Sequence, residues 1–175
     1  MVIWITGLSG AGKTTLAKEV AKNLKKKNLN VVMLDGDELR VVFSEDNQKV
    51  SNFMRITRVK LAYKYSNLCK ILADQNIIVV IATISLFKEI HLWNRANLPN
   101  YFEIYLNVPL SELKRRDSKG LYQKFFDGKL NNIAGLDLKV DEPKNPDYEL
   151  VYDEQIDGNQ DSDDLMKKIY ERIEK

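Results

Sequence analysis

A three-layer α/β fold, with a parallel sheet of five strands held between helices, is the architecture this chain encodes, and three features point to it. Segments rich in β-branched residues alternate with longer helical ones along the chain, the order that lays strands in parallel beneath crossover helices. The segment Ile77-Ile78-Val79-Val80-Ile81-Ala82 is apolar at every position, as a strand buried on both faces is. A glycine-rich turn separates the first strand-like segment from the first helix, at the edge where α/β sheets gather their ligands.

Residues 2–6 read as the first strand, and residues 13–27 as a helix with Leu16, Val20 and Leu24 on one face. Residues 31–34 form the second strand. A long amphipathic helix spans about 50–75, followed by the apolar strand 77–84 and a helix over 88–97. Residues 102–106 make the fourth strand, and Pro109 fits the first turn of a short helix whose basic end, near Arg116, suits the helix dipole. From 117 to 148 the texture changes: Gly120, Gly128, Gly135, Pro143 and Pro146 interrupt a polar, lysine-rich stretch, which reads as a lid or binding loop. A strand over 150–152 and a helix over 161–174 close the fold. At 175 residues the chain holds one such core, so residues 1–175 are read as a single domain with its lid at 117–148.

Composition narrows the partners. With 44% hydrophobic and 30% charged residues the chain is an ordinary globular one, and a net charge of +2, from 27 basic and 25 acidic residues, gives no broad field for nucleic acid or membrane. The longest apolar run is far shorter than the roughly 20 residues of a membrane helix. No basic region precedes the first strand, and a cytoplasmic protein is expected. Cys69, the only cysteine, is expected on a helix as a buried, inert thiol. His91, the only histidine, falls on an expected surface helix and is given no catalytic part, while Lys25, Lys26 and Lys27 read as a solvated helix end.

Gly7-Leu8-Ser9-Gly10-Ala11-Gly12-Lys13-Thr14 spells G-x-x-x-x-G-K-[ST] between a strand and a helix, which makes the fold a P-loop NTPase of nucleotide-kinase type. Backbone N–H groups from Gly7 to Thr15 cradle phosphate at the positive end of the helix; Lys13 bridges the β- and γ-phosphates, and the Thr14 hydroxyl holds Mg²⁺. ATP and Mg²⁺ are therefore the expected cofactors. There is no Asn-Lys-x-Asp guanine signature and no room for motor elements, which leaves the small-molecule kinases. After the second strand, Asp35-Gly36-Asp37-Glu38-Leu39-Arg40 brings two carboxylates and a guanidinium to the same sheet edge. Two readings stand: the acids orient or deprotonate an acceptor hydroxyl, or help to hold the metal, while Arg40 grips an anionic substrate; or the segment is a turn with Asp37 as helix N-cap.

The residues from Trp4 to Thr15, Leu34 to Asp37, Ile84-Ser85, Arg116 to Tyr122, Gly135-Leu136-Asp137 and Glu142-Pro143 come in the order and spacing of the adenylylsulfate kinases, and the chain resembles that family over nearly its whole length. The resemblance implies a homodimeric kinase that moves the γ-phosphoryl group of ATP to the ribose 3′-hydroxyl of a small nucleotide bearing a sulfate-like end group. It implies that Asp35 engages the acceptor hydroxyl with Asp37 in support, that Arg40 contacts the acceptor's anionic groups and that Ser85 lines its pocket. It further implies that Lys119, Gly120 and Leu121 belong to the lid, and that Arg116 approaches the ATP base.

The departures from the family pattern cluster in the acceptor pocket. Phe43, one wall of that pocket, follows Arg40 on a shortened loop; Lys49 stands for an arginine; Asn52-Phe53-Met54-Arg55 keeps Asn52 and one of two arginines; and Ile133 replaces a stacking phenylalanine. Loss of an aromatic plate forfeits about 1–3 kcal/mol per base, which suits a smaller base. The family includes kinases of cytidine diphosphoramidate from capsular-polysaccharide clusters, so the resemblance implies cytidine diphosphoramidate or adenylyl sulfate as the expected acceptor. From other classes, a non-catalytic ATP-sensing module and a kinase of another metabolite remain, the latter opposed by Lys119-Gly120-Leu121-Tyr122. Phe125 and Phe126 either cover a nucleotide or anchor the lid, and Tyr63 and Tyr65 either meet a dimer partner or belong to core or surface.

Overall fold

The computed structural model describes residues 1–43, 54–117, 119–152 and 158–174. Five strands, β1 (Val2–Gly7), β2 (Val31–Asp35), β3 (Ile78–Ala82), β4 (Tyr101–Asn107) and β5 (Tyr148–Val151), form one sheet in the order β2-β3-β1-β4-β5. Every pairing is parallel. β1 lies at the centre with all six residues buried. The chain moves to one side of it for β2 and β3, then crosses to the other for β4 and β5, which opens a crevice at the carboxyl ends of β1 and β3. Register brings the chemistry to that crevice: Ile5 and Asp35 are both level with Ala82 of β3, so the turn after β1 and the acid ending β2 emerge side by side.

Alternation along β1 builds the two cores. Ile3 and Ile5 face α1 (Lys13–Lys26), α5 (Leu110–Arg116), α6 (Leu121–Phe126) and α7 (Gly158–Ile173), packing among Val20, Leu24, Leu113, Tyr122, Leu165 and Ile169. Val2 and Trp4 face the other way, into α2 (Gly36–Phe43), α3 (Arg55–Ala73) and α4 (Lys88–Asn97), among Leu39, Ala62, Tyr65, Cys69 and Ile90. Cys69 is fully buried, and burial pushes its thiol up to about 12. Among the described residues, no helix is long and apolar enough to cross a membrane.

Several elements differ from expectation. The segment after β2 is a two-turn helix, α2, and the lid contains a six-residue helix, α6, too short to show a period in sequence. Asp117 caps α6, its carboxylate accepting from the N–H groups of Tyr122 at 3.1 Å and Gln123 at 2.9 Å. β5 begins at Tyr148, two residues early, because its pairing with Ile104 extends the ladder into the predicted lid. β3 stops at Ala82, and a turn through Ser85, with φ of 25°, bends the chain away from the sheet. α3 is described from Arg55; residues 50–53 of its predicted span lie outside the described residues.

His91 turns inward instead of out. Its ring nitrogens meet the Glu103 carboxylate at 2.7 Å and the Asp141 carbonyl at 3.0 Å, and Arg95 and Tyr101 also donate to Glu103, so the histidine joins α4 to β4 and the end of the lid. Tyr65 belongs to the core, its hydroxyl donating to the Gly36 carbonyl at 3.0 Å, and Tyr63 stands edge-on to Trp93.

Candidate active site

The turn after β1 enters α1 through Gly12, whose φ of 96° is a left-handed conformation that a side chain would strain. This lets the loop curl tightly enough for Lys13 to donate to the Leu8 carbonyl at 2.7 Å, its ammonium inside the loop. Burial lowers Lys13 to about 8, the charge of Lys119 adds to the effect, and Asp37 and Asp35 oppose it. A buried ammonium this poorly compensated suits an incoming polyphosphate, and the group fits the donor set: a lysine, a helix N-terminus and a hydroxyl.

Asp35 does two things at once. One carboxylate oxygen accepts the Thr14 hydroxyl at 2.7 Å, and the other accepts the Asp37 N–H at 2.8 Å. The side chain capping α2 is thus Asp35, one residue before the helix, and the alternative reading with Asp37 as the cap is corrected: an acid at the strand end reaches an amide in the first turn of the helix that follows. Asp37 is instead bound by Lys119 at 2.6 Å and Arg40 at 3.3 Å. Burial raises its proton affinity, but the Lys119 hydrogen bond and the charges of Arg40, Lys119 and Lys13 outweigh that and hold the carboxyl below its ordinary value. Glycine at 36 gives close approach, since a Cβ there would lie 3.0 Å from the Thr83 hydroxyl and 3.1 Å from the Ala82 carbonyl.

These groups share one cleft of about 660 Å³. Ser9, Gly10, Gly12, Lys13, Thr14 and Thr15 line its cradle end. Asp35, Asp37, Arg40, Val41 and Arg58 come from the α2 and α3 side, Thr83 and Ile84 from the end of β3, and Lys119, Leu121, Ile133 and Ala134 from the lid. The segment expected to be a lid is held to the cradle: the Tyr122 hydroxyl donates to the Ser9 carbonyl at 3.0 Å, and a Cβ on Gly135 would lie 2.9 Å from Leu8.

Other expected site residues fall elsewhere. Gly7, Leu8 and Ala11 form the back of the cradle, outside the lining, and Gly120 stands between two lining residues without joining them. Ser85 is buried behind the cleft wall, hydrogen-bonded to Thr83, which takes the lining position. Phe43 packs on Tyr65 with ring centroids 6.1 Å apart and is not in the lining. Arg116 donates to Glu112 and lies over the Tyr152 ring, outside the lining. Arg55 points out of the cleft into Glu89 and Asp141. Asn52 and Lys49 lie outside the described residues.

Sequence reasoning missed Arg58. Its guanidinium donates to the Asn132 carbonyl at 2.8 Å, and burial first, then the charge of Arg40, lowers it to about 10. One signal was available: the first turn of α3 carries Arg55 and Arg58 and no acid, where the helix dipole disfavours cations.

Thr14 and Asp35 offer two hard oxygen donors at one point, the protein share that Mg²⁺ takes when phosphates and water supply the rest. Among the described residues no cluster of three His, Cys, Asp or Glu side chains offers another metal site.

Relatives bear on the same cleft. The family model for adenylylsulphate kinase matches residues 1–151. The cytidine diphosphoramidate kinase of Campylobacter jejuni subsp. jejuni serotype O:2 is 41% identical over 143 residues, 82% of this chain and 81% of that protein. The adenylyl-sulfate kinase of Halothermothrix orenii is 36% identical over 155 residues, 89% of this chain and 82% of that one. The Mycobacterium tuberculosis APS kinase CysC, solved in complex with AMPPNP and APS, superposes with a TM-score of 0.83 at 30% identity over 97% of this chain and 96% of its own. With strand order, phosphate cradle and sequence all in agreement, the chain belongs to the adenylylsulphate kinase family.

Proposed function

We propose that this ATP-dependent nucleotide kinase phosphorylates the ribose 3′-hydroxyl of a cytidine diphosphate derivative with a sulfate-like end group, cytidine diphosphoramidate, as a homodimer in the cytoplasm. The observation that carries the kinase reading is the convergence of Lys13, Thr14, Asp35 and Asp37 on one cleft. The transfer needs positioning and charge neutralisation rather than a nucleophilic side chain. Lys13 meets the β- and γ-phosphates from the cradle, and Asp35 orients the acceptor hydroxyl and takes up its proton. Asp37, kept ionised by Lys119 and Arg40, holds those two cations over the acceptor. A Mg²⁺ on Thr14 and Asp35 would further neutralise phosphate charge.

The base assignment is supported by the lining: among the described residues it contains no aromatic ring, with Ile133 on one wall and Phe43 turned to Tyr65. A purine loses more stacking than a pyrimidine in such a cleft. The relative at 41% identity favours the same assignment. Adenylyl sulfate is the second reading, favoured by the relatives at 36% identity. The test compares both acceptors with ATP and Mg²⁺ while following ADP release. A kcat/KM for cytidine diphosphoramidate at least about tenfold above that for adenylyl sulfate, about 1.4 kcal/mol, is expected. The reverse ranking overturns the base assignment, and ATP binding without phosphorylation of either acceptor overturns the kinase. Sedimentation at twice the chain mass is expected, and a monomer rejects the dimer.

A further inference from the structure

We infer that Arg58, which lines the cleft within reach of the charge of Arg40, grips the anionic tail of the acceptor and selects acceptors by tail charge. The inference rests on the kinase reading and narrows its acceptor end. Arg55 and Arg58 are one turn apart at the start of α3, but only one of them faces the substrate space. Arg55 is committed elsewhere: it donates to Glu89 at 2.7 and 3.0 Å and to Asp141 at 3.0 Å, and it covers the Phe87 ring. Arg58 lines the cleft, and its bond to the Asn132 carbonyl fixes the guanidinium beside Ile133 and Ala134.

Its surroundings weaken its hold on the proton. Burial and the charge of Arg40 both lower its proton affinity, with Asp137 in partial compensation, and the positive end of the α3 dipole adds to the same effect. The cleft thus brings two guanidiniums, from α2 and from α3, together with the pair Asp35 and Asp37. Arg40 is anchored to Asp37 at 3.3 Å, and its charge is felt at Arg58. A hydroxyl at Asp35 leaves the rest of the nucleotide to meet them. Guanidinium forks match tetrahedral oxyanions, and two forks match two adjacent ones, a diphosphate-like tail, better than one.

The experiment uses the full chain and two ladders of unreactive or slow ligands: cytidine, CMP and CDP, and in parallel adenosine, AMP and adenylyl sulfate. Dissociation constants are measured by calorimetry or ligand-observed NMR for the wild type, Arg58→Gln and Arg58→Lys, with ATP affinity and thermal unfolding alongside. Arg58→Gln is expected to weaken the two-anion ligand of the bound series roughly 10- to 100-fold. The single phosphate should be affected less, and the bare nucleoside and ATP less than about threefold; Arg58→Lys should fall between. An equal loss down the ladder means that Arg58 reads the nucleoside and overturns the inference. No loss, a matching loss of ATP affinity, or a wild type that binds neither series overturns it as well. A graded loss in a chain that phosphorylates neither acceptor leaves Arg58 as the tail contact and rejects the kinase reading; turnover with a flat ladder does the opposite.

Discussion

Burial draws the Lys13 ammonium down to about 8 from the 10.5 of a free lysine, with Lys119 adding repulsion, and the two consequences for pH have opposite signs. Between those values the unfolded chain binds more protons than the folded one, so without ligand the stability rises as pH rises through that window. ATP reverses the preference, because phosphate favours the ammonium. Above about pH 8 binding must take up a proton, and ATP affinity falls with rising pH. Calorimetry near pH 8.5 in two buffers of different ionisation enthalpy should register that uptake; none would contradict the assignment. Asp35→Asn separates two roles of one side chain. Asparagine still accepts from the Asp37 N–H, so the melting temperature should hold within about 2 °C, whereas kcat should fall about 10²- to 10⁴-fold with the proposed proton acceptor gone. Lys13, Thr14 and Asp35 were legible in the sequence because strand ends and a short turn fix their places. Arg58 was not. It and Arg55 both lie on the face of α3 that buries Ala62, Tyr65 and Cys69, so the helical period does not separate them; the ion pairs of Arg55 with Glu89 and Asp141, distant in sequence, do.

Helix α6 shows how a short element can matter more than its length suggests. Tyr122 is buried and ties the helix to the cradle through the Ser9 carbonyl, while Asp117 caps it from the preceding turn. Tyr122→Phe keeps the ring and removes one hydrogen bond. Denaturant unfolding should report a loss of about 1 kcal/mol, and thermal unfolding a drop of about 2–4 °C. The KM for ATP should rise with it, since the cradle loses its tie to the lid; an unchanged KM would mean that the tie serves stability alone. The glycines and prolines between 117 and 148 marked a change of texture in the sequence but concealed α6, whose six residues hold fewer than two turns. It also concealed the start of β5 at Tyr148, which only the ladder with β4 reveals. α2 lay within reach of an N-cap argument, and only the identity of the capping acid was misplaced.

The whole sheet was legible as parallel from the alternation of segments and from the apolar run of β3, but its order was not. That β1 sits between β3 and β4 follows from contacts distant in sequence, and its complete burial is the only local trace. Cys69 gives this architecture an internal clock. One thiol, fully buried and pushed up to about 12, is closed to alkylating and disulfide reagents until the α3 side of the sheet opens. Its modification rate therefore times the opening of the molecule without any added probe. Where opening is fast and reversible, ATP at about 100 times its dissociation constant should slow the reaction about 100-fold. A rate indifferent to ATP would reveal that one half of the sandwich breathes independently of the nucleotide on its rim.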